Sequence, residues 1–289
     1  LIFAILQQKG LPVLYVDARE IIKTNSAFSH SEVNFAETNA LINSFFETNK
    51  GKIGLVTGFI ASNSKGETTT LGRGGSDYTA SVIGAALGVK EIEIWTDVDG
   101  MMTADPRKVK SAFTIPSISY AEAMELTHFG AKVIYPPSLQ PAFAKNIPIR
   151  VLNTFNPSFE GTVVSKEPTG SPYIITGISS IDQLALVNLQ GSGMIGVAGV
   201  SAKLFTVLAR EKISVVLISQ ASSEHSICFA IDPSVADKVR KIVEKEFAAE
   251  IATGDIEGVD IQKDLSVIAV VGEGMRKHTG VSGKLFSSL

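Results

Sequence analysis

Residues 68–107 read TTTLGRGGSDYTASVIGAALGVKEIEIWTDVDGMMTADPR. Three threonines enter a glycine-rich turn, Gly72-Arg73-Gly74-Gly75, and Ser76-Asp77 follows. The apolar run over residues 78–87 has helical spacing, and Gly88 ends it. Ser76 is expected to N-cap that helix. Ile92, Ile94 and Trp95 predict a short buried strand that runs out at Thr96-Asp97, with Gly100 supplying the turn. A glycine turn, a helix and a strand ending in polar residues is how α/β sheets build ligand crevices at their strand ends.

The chemistry of the turn is specific. Glycines before a helix start let backbone N–H groups approach an anion, and the helix dipole favours negative charge there. Arg73 adds a planar fork suited to a carboxylate or a phosphate. Asp77 can meet an amine or a metal. The loop therefore suits a phosphate or a small ligand carrying both signs. The same stretch also reads as an ordinary loop leading into a capped helix. Two nucleotide motifs are absent: Asp77 stands where a third glycine would be needed, and no Gly-Lys-Ser/Thr makes a P-loop.

Upstream, residues 1–8 read as the end of a helix closed by Gly10, 13–16 as a strand, 36–46 as a helix and 53–59 as a buried strand. Downstream, Ser119 is expected to cap a helix over 120–127, with Glu122 completing a capping box. Phe129-Gly130 ends that helix, and Lys132 lies just beyond it. Pro136-Pro137 opens a further helix to Asn146, and 148–152 reads as a strand. Strands alternating with helices predict a mostly parallel sheet covered by helices.

Residues 156–172, rich in Pro, Gly, Ser and Thr, read as a linker. Beyond it, LALVNLQGSGMIGVAGVSAKLFTVL (184–208) aligns without a gap to LSVIAVVGEGMRKHTGVSGKLFSSL (265–289), at a constant offset of 81 residues. This is an internal duplication. The first copy continues as strand 213–219, strand 226–231 and helix 233–247, a βαββα unit with antiparallel strands expected. Gly191-Ser-Gly193-Met-Ile-Gly196 also matches a dinucleotide fingerprint. Against that, the second copy has Lys277 in place of the third glycine, and Glu211 falls before the second strand, not at its end.

Composition sets the bounds. The chain has 289 residues, 45% hydrophobic and 19% charged, with a net charge of −3. These values fit a globular protein with real cores and carry no basic footprint for nucleic acid. The single cysteine, Cys228, excludes an internal disulfide and fits a core position in a reducing compartment. No apolar run approaches the roughly 18 residues of a membrane helix. The histidines lack metal-ligand spacing with one another.

TTTLGRGGSDYTA, WTDVDGMMTADPR and FGAKVIYPPSLQPA together resemble aspartate kinase, of the amino acid kinase family. The repeat resembles the ACT domain, a small-ligand sensor that works in pairs. The resemblance implies residues 1–155 as the C-terminal part of a kinase domain, 156–172 as a linker, 173–262 as a first ACT domain and 263–289 as the start of a second. The fold class expected is α/β: a partial kinase domain with a mostly parallel sheet, then ferredoxin-like ACT repeats.

The activity implied is transfer of the ATP γ-phosphate to the side-chain carboxylate of L-aspartate, the opening step of lysine, threonine and methionine biosynthesis. Arg73 would hold the α-carboxylate of aspartate, with Ser76 and Asp77 orienting it. Thr96, Asp97, Arg107 and Lys132 would hold ATP, with Mg²⁺ bridging its phosphates and no resident protein metal site. Met102 departs from family members that carry tyrosine there. The family's Lys-Phe-Gly-Gly-Thr-Ser segment is not in this sequence, and Leu1 opens mid-pattern. The chain is therefore expected to be a piece of a longer protein, inactive by itself. An alternative is a regulatory, ligand-binding and dimerising module only.

Residues 213–231, ISVVLISQASSEHSICFAI, most resemble the bifunctional aspartate kinase–homoserine dehydrogenases. Val216 stands where some lysine-sensitive kinases carry an acid. Threonine is thus expected over lysine as effector, with Gln220 and Met194 as contacts and a dehydrogenase domain following. The resemblance further implies a homo-oligomer formed through the ACT domains and a cytoplasmic location, or a plastid one in a plant.

Overall fold

The computed structural model describes residues 1–130, 133–169, 173–220 and 225–289. Two compact units emerge, one of residues 1–179 with 269–289, the other of 180–268.

The first unit opens with α1 (Ile2–Gln8), β1 (Val13–Val16), α2 (Ala18–Ile21), β2 (Lys23–Thr24) and α3 (Phe35–Thr48). Then come β3 (Ile53–Val56), β4 (Ile60–Asn63), β5 (Thr68–Thr70), α4 (Gly75–Leu87) and β6 (Ile92–Thr96). They are followed by β7 (Ser117–Ser119), α5 (Tyr120–His128), α6 (Pro136–Lys145), β8 (Ile149–Asn153) and β9 (Thr162–Ser165). Parallel pairings predominate: β1 with β3, β2 with β4, β6 with β8 and β7 with β9. β5 on β4 and β9 on β8 are antiparallel. Mixed α/β layering follows from helices returning the chain between parallel strands.

Two apolar clusters hold this unit. One gathers Ile94, Met101, Ile118, Leu126, Leu139 and Ile149 around the β6-β8-β9-β7 sheet. The other gathers Val16, Ile22, Ile42, Leu71 and Val82. The expected helices form. Gly88 closes α4 in the left-handed conformation at φ 60°, which a residue with a Cβ avoids. Ser119 and Glu122 make the full capping box on α5.

Three sequence expectations are corrected here. The strand read over 53–59 stops at Val56, and Ile53 is 48% exposed, so it is not buried. Trp95, also 48% exposed, points away from the core that takes Ile92 and Ile94, as alternation along a strand requires. Thr162–Ser165, inside the stretch read as a linker, is a core strand. Its Thr162 hydroxyl accepts from Met101 N at 2.8 Å and donates to Ile115 O at 2.7 Å, so a threonine that looks like loop polarity is a buried tie.

The second unit carries the first copy of the repeat. Its elements are β10 (Gly177–Gln190), α7 (Val200–Arg210), β11 (Leu217–Gln220), β12 (Ser226–Ile231), α8 (Ala236–Glu246), α9 (Ala248–Thr253) and β13 (Gly258–Val271). The sheet order is β11-β12-β10-β13, with β12 antiparallel to β10 and to β11. The helices bury one stripe each, Leu204, Val207 and Leu208 on α7 and Ala236, Val239 and Val243 on α8. The second copy's helix, α10 (Val281–Ser288), has no buried residue, and its Phe286 is 73% exposed. Among the described residues no helix is long and apolar enough to cross a membrane.

Candidate functional site

β5 delivers the chain into the glycine turn. Gly72 and Gly74 take φ 74° and 69°, left-handed values that favour glycine. Space is also short: a Cβ on Gly74 would lie 2.3 Å from Tyr135 Cβ, and one on Gly72 would lie 2.8 Å from the His30 ring. Gly74, not Ser76, is the residue that caps α4, and no side chain caps that end. Two left-handed residues are needed to swing the chain into the helix, so the serine arrives two positions too late. The first N–H groups of α4 thus keep no side-chain acceptor of their own.

Behind the turn, residues 57–59 lie against α4. Thr79 Oγ1 accepts from Phe59 N at 3.1 Å and donates to Gly75 O at 2.7 Å. A Cβ on Gly58 would lie 3.2 Å from Ser76. Phe59 itself has φ 76°, a strained value for an aromatic residue, of the kind that clusters at functional sites. His30, Phe59 and Tyr135 were missed in the sequence, where only the Gly58-Phe59 pair hints at an unusual backbone. A cavity of about 550 Å³ opens beside Ser76, lined also by Gly54, Val56, Gly58, Thr79 and Ile83.

Arg73 is exposed and Asp77 half-buried. Burial pushes the Asp77 carboxyl above its usual range. Neither has an ion-pair partner among the described residues. A guanidinium, a carboxylate and uncapped helix N–H groups within five residues form a polar cradle for a small zwitterion or an anion.

The second half of the predicted site is the end of β6. The 13 residues of α4 and the five of β6 have comparable lengths, about 20 and 17 Å. A Cβ on Gly84 would touch Ile92, so the strand starts beside the end of the helix. Thr96 Oγ1 donates to Asp97 Oδ1 at 3.2 Å, and Asp97 is exposed. In the turn beyond, Asp99 accepts from Asn153 Nδ2 at 2.8 Å and Asn156 Nδ2 at 3.1 Å. Arg107 forks onto Asp105, Nε to Oδ1 at 3.0 Å and Nη2 to Oδ2 at 2.7 Å. Those bonds hold the Asp105 carboxyl down at about 2. Arg107 therefore has to leave this exposed pair before it can bind a phosphate. Lys132 lies outside the described residues.

In the repeat, Met194 is buried in the core, and Gln220 sits exposed at the end of the edge strand β11. Val216 N donates to Ala230 O at 2.8 Å. Cys228 is half-buried, its thiol donating to Asn188 Oδ1 at 3.1 Å. The dinucleotide reading of Gly191-x-Gly193 fails on geometry. A Cβ on Gly191 would lie 2.2 Å from Asp255 O, and one on Gly193 would lie 2.3 Å from Asp255 Cβ. The chain's own backbone fills the space a pyrophosphate needs. α7 begins only at Val200, and β10 lies antiparallel to β12 where a Rossmann unit is parallel. Among the described residues no cluster of three His, Cys, Asp or Glu side chains could hold a metal.

Residues 1–153 match the amino acid kinase family and residues 187–247 the ACT domain. The chain is 40% identical over 283 residues to the bifunctional aspartokinase/homoserine dehydrogenase of Haemophilus influenzae. That match takes in 98% of this chain and 35% of the relative, so the chain spans about a third of its length. A crystal structure of Escherichia coli aspartokinase III with aspartate and ADP superposes at a TM-score of 0.82, with 32% identity. The superposition covers 99% of this chain and 63% of that one. The same enzyme with lysine and aspartate gives 0.75 at 33% identity, covering 99% and 63%.

Proposed function

We propose that this chain, which belongs to the amino acid kinase family and carries ACT-domain sequence behind its kinase part, comes from an aspartate kinase. The reaction is transfer of the ATP γ-phosphoryl group to the side-chain carboxylate of L-aspartate. The observation that carries this reading is the turn at 72–77. Arg73 and Asp77, without ion-pair partners among the described residues, flank an uncapped helix start. Aspartate is a zwitterion with a spare carboxylate. Arg73 would fork its α-carboxylate, and Asp77, assisted by Ser76, would meet its ammonium, leaving the side-chain carboxylate free to attack.

Phosphoryl transfer asks the protein mainly for positioning and charge neutralisation. No covalent nucleophile is needed, since the substrate carboxylate attacks phosphorus and ADP leaves. Thr96, Asp97, Arg107 and Lys132 are assigned to ATP, Arg107 after exchanging Asp105 for phosphate. Mg²⁺ would neutralise charge on the nucleotide phosphates. A cation that arrives on its nucleotide needs at most one or two carboxylates from the protein.

The regulatory part is proposed to bind an amino acid through paired ACT domains in a homo-oligomer. Val216 offers no charge to a lysine ammonium, and Gln220 offers an amide at the end of β11, so threonine is the favoured effector. The parent is proposed to continue into a homoserine dehydrogenase, as the Haemophilus influenzae relative's name describes for that protein. A cytoplasmic or plastid location accompanies this reading.

Coupled ADP release tests it on the whole natural protein. Aspartate-dependent release, lost with Arg73→Ala, is expected. Release that ignores aspartate overturns the assignment. The same assay on the 289-residue chain decides whether it acts as a catalyst or as a regulatory module.

A further inference from the structure

Phe155 is 82% exposed, more than any other aromatic side chain among the described residues. It stands two residues beyond Asn153, the last residue of β8. Asn153 pairs in register with Thr96, the last residue of β6. Thr96 and Asp97 belong to the proposed ATP site, so this ring stands beside the strand ends that the nucleotide would cross.

A single exposed apolar residue is ordinary. What sets Phe155 apart is the turn that carries it. Thr154 N donates to Thr96 O at 2.8 Å. Phe155 N donates to Asn153 Oδ1 at 2.9 Å. The amides of Asn153 and Asn156 both donate to Asp99 Oδ1, at 2.8 and 3.1 Å. Asn156 N donates to Asn153 O at 3.1 Å, and Phe159 N to Asn156 O at 3.1 Å. Residues on both flanks of Phe155 are thus tied to the end of β6 and to the turn after it. The ring itself has no aromatic neighbour among the described residues. A rigid mount that holds a ring in solvent lowers the entropy cost of whatever binds it.

ATP brings two chemistries. Its phosphates ask for cations and N–H groups. Its adenine is a flat ring with apolar faces, which binds by stacking on aromatic side chains. The residues assigned to ATP, Thr96, Asp97, Arg107 and Lys132, offer charge and a hydroxyl but no aromatic ring. Two other aromatic residues lie near these strand ends. Trp95 is turned back along β6, its Nε1 donating to Glu93 Oε2 at 2.9 Å, and Phe159 is more covered than Phe155. Phe155 keeps most of its surface in solvent on the best-fixed turn of the three.

We propose that Phe155 is a nucleotide-binding residue that stacks on the adenine ring of ATP, held ready by the bonds from Asn153 and Asn156 to Asp99. This deepens the kinase reading and rests on it. Stacking acts on the base and leaves the phosphates and aspartate to other groups. Its loss therefore weakens nucleotide binding without disturbing the acceptor.

Coupled ADP release by the whole natural protein tests this. Phe155→Ala should raise the KM for ATP about tenfold. It should leave kcat and the KM for aspartate within about twofold, because an interaction made equally in the ground and transition states affects KM alone. Competitive inhibition by ADP should weaken as much as ATP binding does. Inhibition by inorganic triphosphate, which has the phosphates and no base, should stay unchanged. Phe155→Trp keeps a ring and should hold the ATP KM near wild type, whereas Phe155→Leu keeps apolar bulk and should not. Thermal melts check folding, and Phe155→Leu carries the same comparison if Phe155→Ala does not fold.

The proposal is overturned if the ATP KM is unchanged, if triphosphate inhibition weakens as much as that by ADP, or if leucine serves as well as tryptophan. A change in oligomeric state by light scattering, with ATP affinity intact, would make the ring a contact between copies and overturns it too. Each of these leaves the kinase reading standing. No aspartate-dependent ADP release from the wild type would remove that reading, and this inference with it.

Discussion

Two glycine turns in this molecule look alike and are built for different reasons. At 72–75, Gly72 and Gly74 are required by left-handed backbone, and the turn leaves Arg73 in solvent and Asp77 half-buried beside it. At 191–193, Gly191 has φ 170°, extended backbone that any residue adopts, and only the closeness of Asp255 requires glycine. The first turn is proposed to present charge to a ligand. The second is plugged by the chain. Glycine spacing therefore reports a close approach, and says nothing of whether a ligand or the chain itself makes it.

The largest expected effect tests the open turn. In the whole protein, Arg73→Lys should cut kcat/KM for aspartate by about 2 kcal/mol, roughly thirtyfold, because the ammonium keeps the charge and loses the fork. The ATP KM should stay nearly unchanged. An equal loss in ATP affinity would make Arg73 a phosphate ligand and erase the distinction in ligand type. The plugged turn should answer differently. Gly191→Ala should leave aspartate affinity alone and destabilise the second unit by about 1–3 kcal/mol, the range for overpacking. Urea unfolding followed by a probe in that unit checks it. Unchanged stability would mean the Asp255 segment yields freely.

A smaller effect separates the plugged turn from its copy. Glu122 has its carboxyl pulled below the usual range. Burial opposes ionisation, but hydrogen bonds from Thr176, Glu273 and Ser119 outweigh it. A depressed carboxylate contributes stability above its unfolded pKa, near 4.5, and loses it as pH falls through the folded value. Acid should therefore loosen 272–277 before 191–194, whose amides bond to backbone oxygens. The loss is about 1.5 kcal/mol, the value of one hydrogen bond to a charged group. Pulse-labelled exchange between pH 5 and 3 reads it, and loosening of both turns together would count against a special role for Glu122.

The smallest effect concerns Asp77, whose carboxyl is raised by burial. The sign is opposite. Its stabilising share is present below about 3.8 and is lost as pH rises through the folded value. At neutral pH the charge is a burden, so Asp77→Asn should stabilise slightly, by about 0.5 kcal/mol or less, while lowering aspartate turnover. Thermal melts and the ADP assay together check it. A stability loss would mean that Asp77 has a structural partner.

How much was legible follows from how far each signal reaches along the chain. The α5 capping box spans four residues and was read correctly from Ser119 and Glu122. The helix at 75–87 was legible from its apolar spacing and Gly88, but its cap was placed on Ser76 because a serine before a helix is the usual cap. The tight packing of Tyr135 against Gly74 lies some 60 residues away in sequence and could not be seen. Thr162 looked like linker polarity because its partners, Met101 and Ile115, come from another hairpin.

The 81-residue duplication, the family resemblance and the charges of the glycine turn were determined by the sequence alone, since each is a pattern of residue types at fixed spacing. What occupies the space beside each glycine was decided only by tertiary structure. Asp255 fills Gly191 and Ile174 fills Gly272 by crossing between copies, contacts that no local propensity encodes. The same holds for Glu122. Its capping role is a matter of four consecutive residues, whereas its bonds to Thr176 and Glu273 exist because folding brings three distant segments to one buried carboxylate that must be satisfied.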